Sequence, residues 1–237
     1  MSWTYEIAFR GPPEQRAGLQ AWLETWTRDA CAGLPGLKCF DLYTPADGQA
    51  LDPYNDDGAG PLMMLMLGFA SRDALAAAVA SSRIPAAACA VAPGIAVTGT
   101  ALERRFYPVG DDATPAPLQA PFSYVVRYHR PADDEAAFVK SYLATHPATE
   151  ARLPGIRSIM CYLPLEEMHA PNPRQARTGM PPADYMIGNE VVFDDIDAFN
   201  AAMASPVRQE LRAHYRAFPR FTGASTHHAM IRRRLVG

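Results

Sequence analysis

The chain has 237 residues, 49% hydrophobic and 20% charged, the proportions of a globular protein with ample core material for one large domain or two ordinary ones. A formal net charge of −3, which protonation of all six histidines would move only to about +3, provides no basic excess for a nucleic-acid backbone or an anionic membrane. No apolar run approaches the roughly 20 residues of a membrane span, and "MSWTYEIAFR" lacks the basic start and apolar stretch of an export signal, so a cytoplasmic protein is expected.

The first element is "YEIAF", a strand by its β-branched and aromatic content, ending at a proline-containing turn. A helix follows and is stopped at "LPGLKCFDLYTP", where Pro35 cannot continue a helix and Gly36 is free to take positive φ. A second strand, the acidic loop "ADGQALDPYNDDGAGP" and a third strand lead to a helix opening at "SRD", where an acid suits the N-terminal dipole. After a fourth strand, "TPAPLQAP" reads as a semi-rigid linker.

The order then repeats. "LPGIRSIMCYLP" begins at Leu153, 119 residues after Leu34, and the same offset pairs Tyr5 with Tyr124, Pro12 with Pro131 and Tyr43 with Tyr162. Further on, "GFASRDALAAAVASS" lies over "VFDDIDAFNAAMASP". In the second copy Phe138, Tyr142 and Leu143 give the first helix its apolar spacing after "DDE". The four cysteines, Cys31, Cys39, Cys89 and Cys161, form no CxxC pair, and reduced thiols are expected.

Each copy thus reads βαββαβ, the ferredoxin-like order, and the expected class is α+β: two tandem ferredoxin-like units whose sheets pack face to face as an intramolecular barrel, a pseudo-dimer. The expected divisions are 1–112, a scaffold repeat; 113–121, the linker; and 122–237, a repeat with the active pocket. Tyr5, Ile7 and Phe9 share one strand face, as do Tyr124, Val126 and Tyr128, and these suit packing under helices. Glu6, Arg10, Arg127 and His129 lie opposite, able to pair across the inter-sheet space or to reach the rim.

"FVKSYLATHPATEARLPGIRS", followed by "NEVVFDDIDAFNAAMASP", resembles the EthD-like branch of the dimeric α/β-barrel superfamily. The shared pattern is a histidine-bearing helix end, then LPG, then an acidic strand ending in Phe-Asp before an Ala-rich helix and Ser-Pro. The resemblance covers most of the second copy and, more weakly, the first. It implies a small-ligand pocket between sheet and helices, relatives that include cofactor-free oxygenases, cyclases, dehydratases and isomerases, and a role for His146. A haem-binding branch of the superfamily also uses tandem halves, but no residue of this chain marks a proximal ligand.

All six histidines, His129, His146, His169, His214, His227 and His228, fall in the second copy, which places any acid–base chemistry there. His146, aligned with Thr27, is the candidate general base or acid; the alternative is a helix-end histidine capping carbonyls or packing on an aromatic ring. Asn189, in the third strand on the face of Tyr185, Ile187 and Phe193, could polarise a carbonyl or phenol, and Tyr124 could donate a phenolic proton. Substrate contacts are expected from His129, Tyr128, Tyr142, Tyr162 and His228, although such tyrosines also serve as core. Glu190 should enter the inter-sheet space beside a cation such as Arg127. No HxH, HxxxH or HxxE spacing indicates a metal, and no P-loop, Rossmann or nucleophile-elbow motif is present. The loop 165–184, with His169 and Arg174, is long enough for a lid.

The expected function is an enzyme without organic cofactor or metal, using His146 for proton transfer on a small hydrophobic or aromatic oxygenated molecule, of lyase, isomerase, cyclase or oxygenase type. The alternative is a non-catalytic small-molecule binding or accessory protein. No nucleic-acid or membrane partner is expected, and the chain would act as a pseudo-symmetric monomer or a higher homo-oligomer.

Overall fold

In β1 (Ser2–Arg10), Tyr5, Ile7 and Phe9 pack against Leu19, Trp22 and Leu23 of α1 (Arg16–Cys31), as the alternation predicts. Thr4, Glu6 and Ala8 on the other face are buried as well, so a second layer must cover that side too. The computed structural model describes residues 2–31, 33–54, 57, 60–81, 93–110, 120–168 and 183–236, without the side chains of 27–31 and 236. The linker expected at 113–121, His169 and Arg174 therefore lie wholly or mainly outside the described residues.

The first half continues with β2 (Leu37–Pro45), β3 (Met63–Phe69), α2 (Arg72–Ala80) and β4 (Ala96–Tyr107). The second comprises β5 (Phe122–His129), α3 (Glu135–Glu150), β6 (Ser158–Pro164), β7 (Tyr185–Phe193), α4 (Ile196–Met203), α5 (Pro206–Ala217) and β8 (Ser225–Val236). Local chemistry sets the boundaries. Ser71, Asp134 and Asp195 cap α2, α3 and α4 by accepting from the backbone N–H three residues on. Gly36 and Gly155 take φ of 73° and 74° at the two LPG stops.

Both halves arrange their strands as fourth, first, third, second, and all neighbours are antiparallel: β4-β1-β3-β2 and β8-β5-β7-β6. The two sheets do more than face each other. They join edge to edge, β2 to β8 and β4 to β6, into one closed eight-stranded barrel. Closure removes every free edge and turns the expected inter-sheet space into a lumen.

Tyr43, Met64, Met66, Met160, Tyr162, Val192 and Met230 fill much of that lumen. The ionic groups among them are paired, as burial requires. Arg127 binds Glu6, which also accepts a hydrogen bond from Tyr185 Oη at 3.1 Å, and its guanidinium carbon lies 4.9 and 5.3 Å from the ring centres of Tyr162 and Tyr185. Glu190 accepts from Tyr43 (3.1 Å), Ser123 (2.7 Å) and Tyr162 (2.5 Å). The expected Glu190–Arg127 pair is thus replaced by two separate clusters. The register explains this: Arg127 lies opposite Gly188, whose missing side chain leaves room for the guanidinium.

Tyr185 also departs from expectation. A register shift between Tyr128 and His129 in the β5–β7 ladder places Met186 and Ile187 both on the helix side and turns Tyr185 into the lumen.

Two straps cross between the halves. In the β2–β3 connection, Leu51 N donates to Asn200 Oδ1 at 2.7 Å and Gln49 O accepts from Asn200 Nδ2 at 3.1 Å. In the β6–β7 connection, Leu165 N donates to Ala101 O at 3.0 Å, Glu167 pairs with Arg72, and Leu165 and Met168 pack on the first half's core.

Candidate active site

On α3, Tyr142, His146 and Glu150 recur every four residues and so stand on one face. That face looks onto β5 and β7 of the second half, where Tyr124, Val126 and Tyr128 point outward from the barrel under the helices. On α5, Arg208, Leu211, Arg212 and Tyr215 form a matching stripe that closes the other side of the groove. The space enclosed is about 70 Å³. A neighbouring space of about 250 Å³ under the β2–β3 strap shares Tyr124 and His227 as lining.

Burial governs the electrostatics. His146 is 7% exposed, its ring centre 4.6 Å from that of Tyr142 and 5.7 Å from that of Phe218. Desolvation, with Arg208 and His214 adding to it, pushes its pKa down to about 3. Desolvation also pushes Glu150 up to about 8, against the opposing influence of Asn189 and Arg208. Near neutral pH the site therefore holds a neutral imidazole beside a largely protonated carboxyl group. His146 Nε2 lies 3.6 Å from Glu150 Oε1, too long for a hydrogen bond, while Glu150 Oε2 accepts from Asn189 Nδ2 at 2.9 Å. Two buried polar atoms of this cluster, His146 Nδ1 and Asn189 Oδ1, have no partner in the structure. Such atoms are uncommon in protein interiors, where an ordered water or a bound group usually satisfies them.

The first half supplies part of the wall. Asp52 binds Arg208 through both carboxylate oxygens, with Nη2 at 2.7 and 2.9 Å, and accepts a hydrogen bond from Tyr124 Oη at 3.2 Å. Burial and Asp52 together raise the Tyr124 pKa well above its usual value, so its hydroxyl stays protonated. His227 Nδ1 lies 2.6 Å from Asp57 Oδ2 at the same edge.

Of the residues singled out in the sequence, His146, Asn189, Tyr124, Tyr128 and Tyr142 converge on this pocket. Tyr162 does not: it points into the lumen, bound to Glu190. His129 lies at the open end of the lumen, bound to Asp184 and Thr226. His228 stands opposite Val125 and lines the lumen cavity, and with Tyr124 and His227 it also lines the space under the β2–β3 strap; His227 stands opposite the helix-facing Val126 and lines the pocket. Glu150, Asp52 and Arg208 were not foreseen. The i, i+4 spacing from His146 would have revealed Glu150; no local signal marks Asp52.

Among the described residues, the corresponding layer of the first half is packed with apolar side chains. Leu23 stands where the second half has Tyr142, Trp22 and Trp26 stack in parallel with ring centres 5.8 Å apart, and Phe40, Leu165 and Met168 complete the packing. The side chain of Thr27, counterpart of His146, lies outside the described residues. Among the described residues no group of three His, Cys, Asp or Glu converges as metal ligands, and no helix is long and apolar enough to cross a membrane.

Residues 130–219 match the EthD domain family, which assigns that segment of the second half to the EthD-like branch. A search of the curated proteins found none that matches. Among solved structures, the chain is similar to an anthrone oxidase-like protein, at 12% identity over 99% of this chain and 93% of the other, with a TM-score of 0.61. It is also similar to a protein of Lactobacillus acidophilus NCFM described as a candidate monooxygenase (12% identity, 98% and 94% covered, TM-score 0.54) and to a candidate chlorite dismutase (14%, 98% and 94%, TM-score 0.51). These likenesses establish the dimeric α/β-barrel fold.

Proposed function

We propose that the chain is a pair of ferredoxin-like repeats whose second member acts on a small apolar or aromatic oxygenated metabolite by proton transfer at His146, without an organic cofactor. The observation that carries this reading is the pair of buried, unpartnered atoms His146 Nδ1 and Asn189 Oδ1 beside a carboxyl group held near neutrality. An Nε2–H directed at Glu150 leaves the lone pair on Nδ1, the form a general base requires. The substrate proton would pass to Nδ1, leaving an enolate or phenolate, and the imidazolium so formed would be balanced by Glu150 once that group is ionised. Asn189 holds Glu150 in place, and the space under the strap has room for the substrate's apolar body. Lyase, isomerase, cyclase and oxygenase reactions share this first step. The relatives' oxygenase-type descriptions support a small-molecule enzyme and leave the type open.

The test compares wild type, His146→Ala and Glu150→Gln against a panel of phenolic and β-keto compounds. Turnover should fall at least 100-fold in His146→Ala. In wild type it should rise with pH as Glu150 ionises near 8, a rise absent from Glu150→Gln. Equal turnover in wild type and His146→Ala overturns the assignment. Saturable binding of a panel member with no turnover in any protein would favour the non-catalytic binding reading.

A further inference from the structure

The lumen is packed at one end and open at the other. Near the Arg10 end of β1, a cavity of about 270 Å³ lies among Ala8, Met64, Val125 and Tyr185. It is larger than the helix-side pocket and lies on the opposite face of the same sheet, since Val125 and Arg127 point inward where Val126 and Tyr128 point outward. An eight-stranded barrel is just wide enough either to be filled by its side chains or to hold one small ligand. This barrel is filled over part of its length.

Two arginines and two carboxylates line the cavity, so the formal charges balance, but they are unevenly paired. Glu6 is bound to Arg127, and Asp184 to His129 with Nδ1 and Oδ1 2.6 Å apart. Arg10 and His228 remain. Arg10 ends β1 at the cavity, and among the described residues no carboxylate forms an ion pair with it. His228 is 6% exposed, and its Nε2 has no hydrogen-bond partner. The Nδ1 edge of its ring is backed by Gly60, where a Cβ would come within 2.9 Å of Nδ1. Arg127 Nε, also at this cavity, is unpartnered too. The unsatisfied groups are donors or potential donors, and the rest of the wall is largely apolar. An anion with an apolar body is complementary to both.

We propose that this end of the barrel is a second ligand site that takes a small monocarboxylic acid with an apolar or aromatic body, its carboxylate between Arg10 and His228 and its body against Ala8, Met64 and Val125. The volume suffices, because an apolar cavity of about 150 Å³ already holds benzene. Binding is coupled to a proton. Desolvation, Arg10, Arg127 and His227 hold His228 down at about 4, opposed by Asp57, so it is neutral at pH 7 in the empty cavity. A carboxylate placed beside it favours the imidazolium and draws a proton from solvent.

Titration calorimetry of the full chain at pH 7 with benzoate, hexanoate and the neutral isostere benzamide tests this. Both acids should bind saturably and benzamide at least tenfold more weakly, with a binding enthalpy that depends on the buffer's ionisation enthalpy, as proton uptake requires. Arg10→Met and His228→Gln should each weaken benzoate tenfold or more, and Ala8→Leu, which fills the cavity, should abolish binding. His146→Gln should leave benzoate binding unchanged; because His228 also lines the space under the β2–β3 strap, Arg10→Met, at a residue that lines the lumen cavity but not that space, is the variant that separates the two sites. Arg10 is exposed at a strand end, and its variant carries the test should a lumen variant fail to fold by circular dichroism. Absence of saturable binding, equal affinity for benzamide, or loss in His146→Gln with Arg10→Met unaffected would overturn the proposal.

Discussion

Asp52 grips Arg208 with both carboxylate oxygens and so ties the first half of the chain to the second at the wall of the candidate active site. The pair is almost fully buried, and it is flanked by Tyr54, whose ring centre lies 4.8 Å from the guanidinium carbon of Arg208 and 5.2 Å from that of Arg212. A strap from one repeat therefore completes the groove of the other. The reciprocal strap, through Leu165, Glu167 and Met168, packs on the first half's apolar core, to which Trp22 and Trp26 also belong.

Removing the acid from this pair strands a buried cation. Asp52→Ala should lower stability by about 3 kcal/mol, read as a reduced urea midpoint at an unchanged slope. Arg208→Ala should cost a similar amount, and the double variant much less than the sum, because each single change leaves the other charge unpaired. Additive losses in the double-mutant cycle would show that the two residues do not act as a pair.

Glu150 predicts an unusual pH dependence. Its folded pKa of about 8 lies above the ordinary 4.5, so the folded state binds this proton more tightly than the unfolded state does. Stability contributed by this group is thus complete below about 4.5 and falls by up to about 1.4 kcal/mol per pH unit as pH rises toward 8. Glu150→Gln should remove that loss, so its advantage over wild type grows across this window and levels off above it. His146 acts in the opposite direction: its folded pKa of about 3 makes stability fall as pH drops from 6.5 toward 3. Parallel stability curves for wild type and Glu150→Gln between pH 5 and 8 would rule out a buried, neutral Glu150.

Tyr162 belongs to the lumen. Tyr162→Phe deletes a hydrogen bond to the buried Glu190 carboxylate and should cost about 1.5–3 kcal/mol in thermal or chemical unfolding. Ligand affinity at the helix-side pocket should stay within about twofold, since the sheet separates the two. A variant of unchanged stability with impaired pocket binding would return Tyr162 to the site.

Gly188 has a steric role. A Cβ there would lie 2.8 Å from Arg127 Nη1 and 3.0 Å from its Cδ and Cζ, and this guanidinium is held by Glu6 and the carbonyl of Val126. Gly188→Ala should therefore displace Arg127 and cost about 2–3 kcal/mol. Gly18→Ala, where a Cβ meets nothing within 4 Å in α1, is the control and should be neutral or mildly stabilising. Differential scanning calorimetry of the two variants would decide it; equal melting temperatures would refute the packing argument.

Much of the fold was legible in the chain itself. The 119-residue offset, the two LPG stops and the alternation in "YEIAF" and "YVVRY" sufficed for the repeat, the element order and the faces of β1 and β5, because turn chemistry and strand periodicity act within a few residues. The same locality brought His146, Tyr142 and Asn189 forward. Local pattern failed at Tyr185, where one extra residue in a ladder turned a side chain from the helices to the lumen; for His227 and His228 alternation put the two on opposite faces, and the register against β5 decided which face each takes.

What the sequence determined alone was an α+β chain whose two halves follow the same strand order, with its histidines gathered in the second. The tertiary structure decided that the sheets close edge to edge, that Arg127 answers Glu6 while Glu190 is held by hydroxyls, and that Asp52 reaches a pocket in the other half. Those outcomes depend on barrel closure and strand register, which bring together residues far apart in the chain, Asp52 and Arg208 by 156 positions and Glu6 and Tyr185 by 179. Nothing in the neighbourhood of either residue specifies its partner; only the geometry of the closed barrel does.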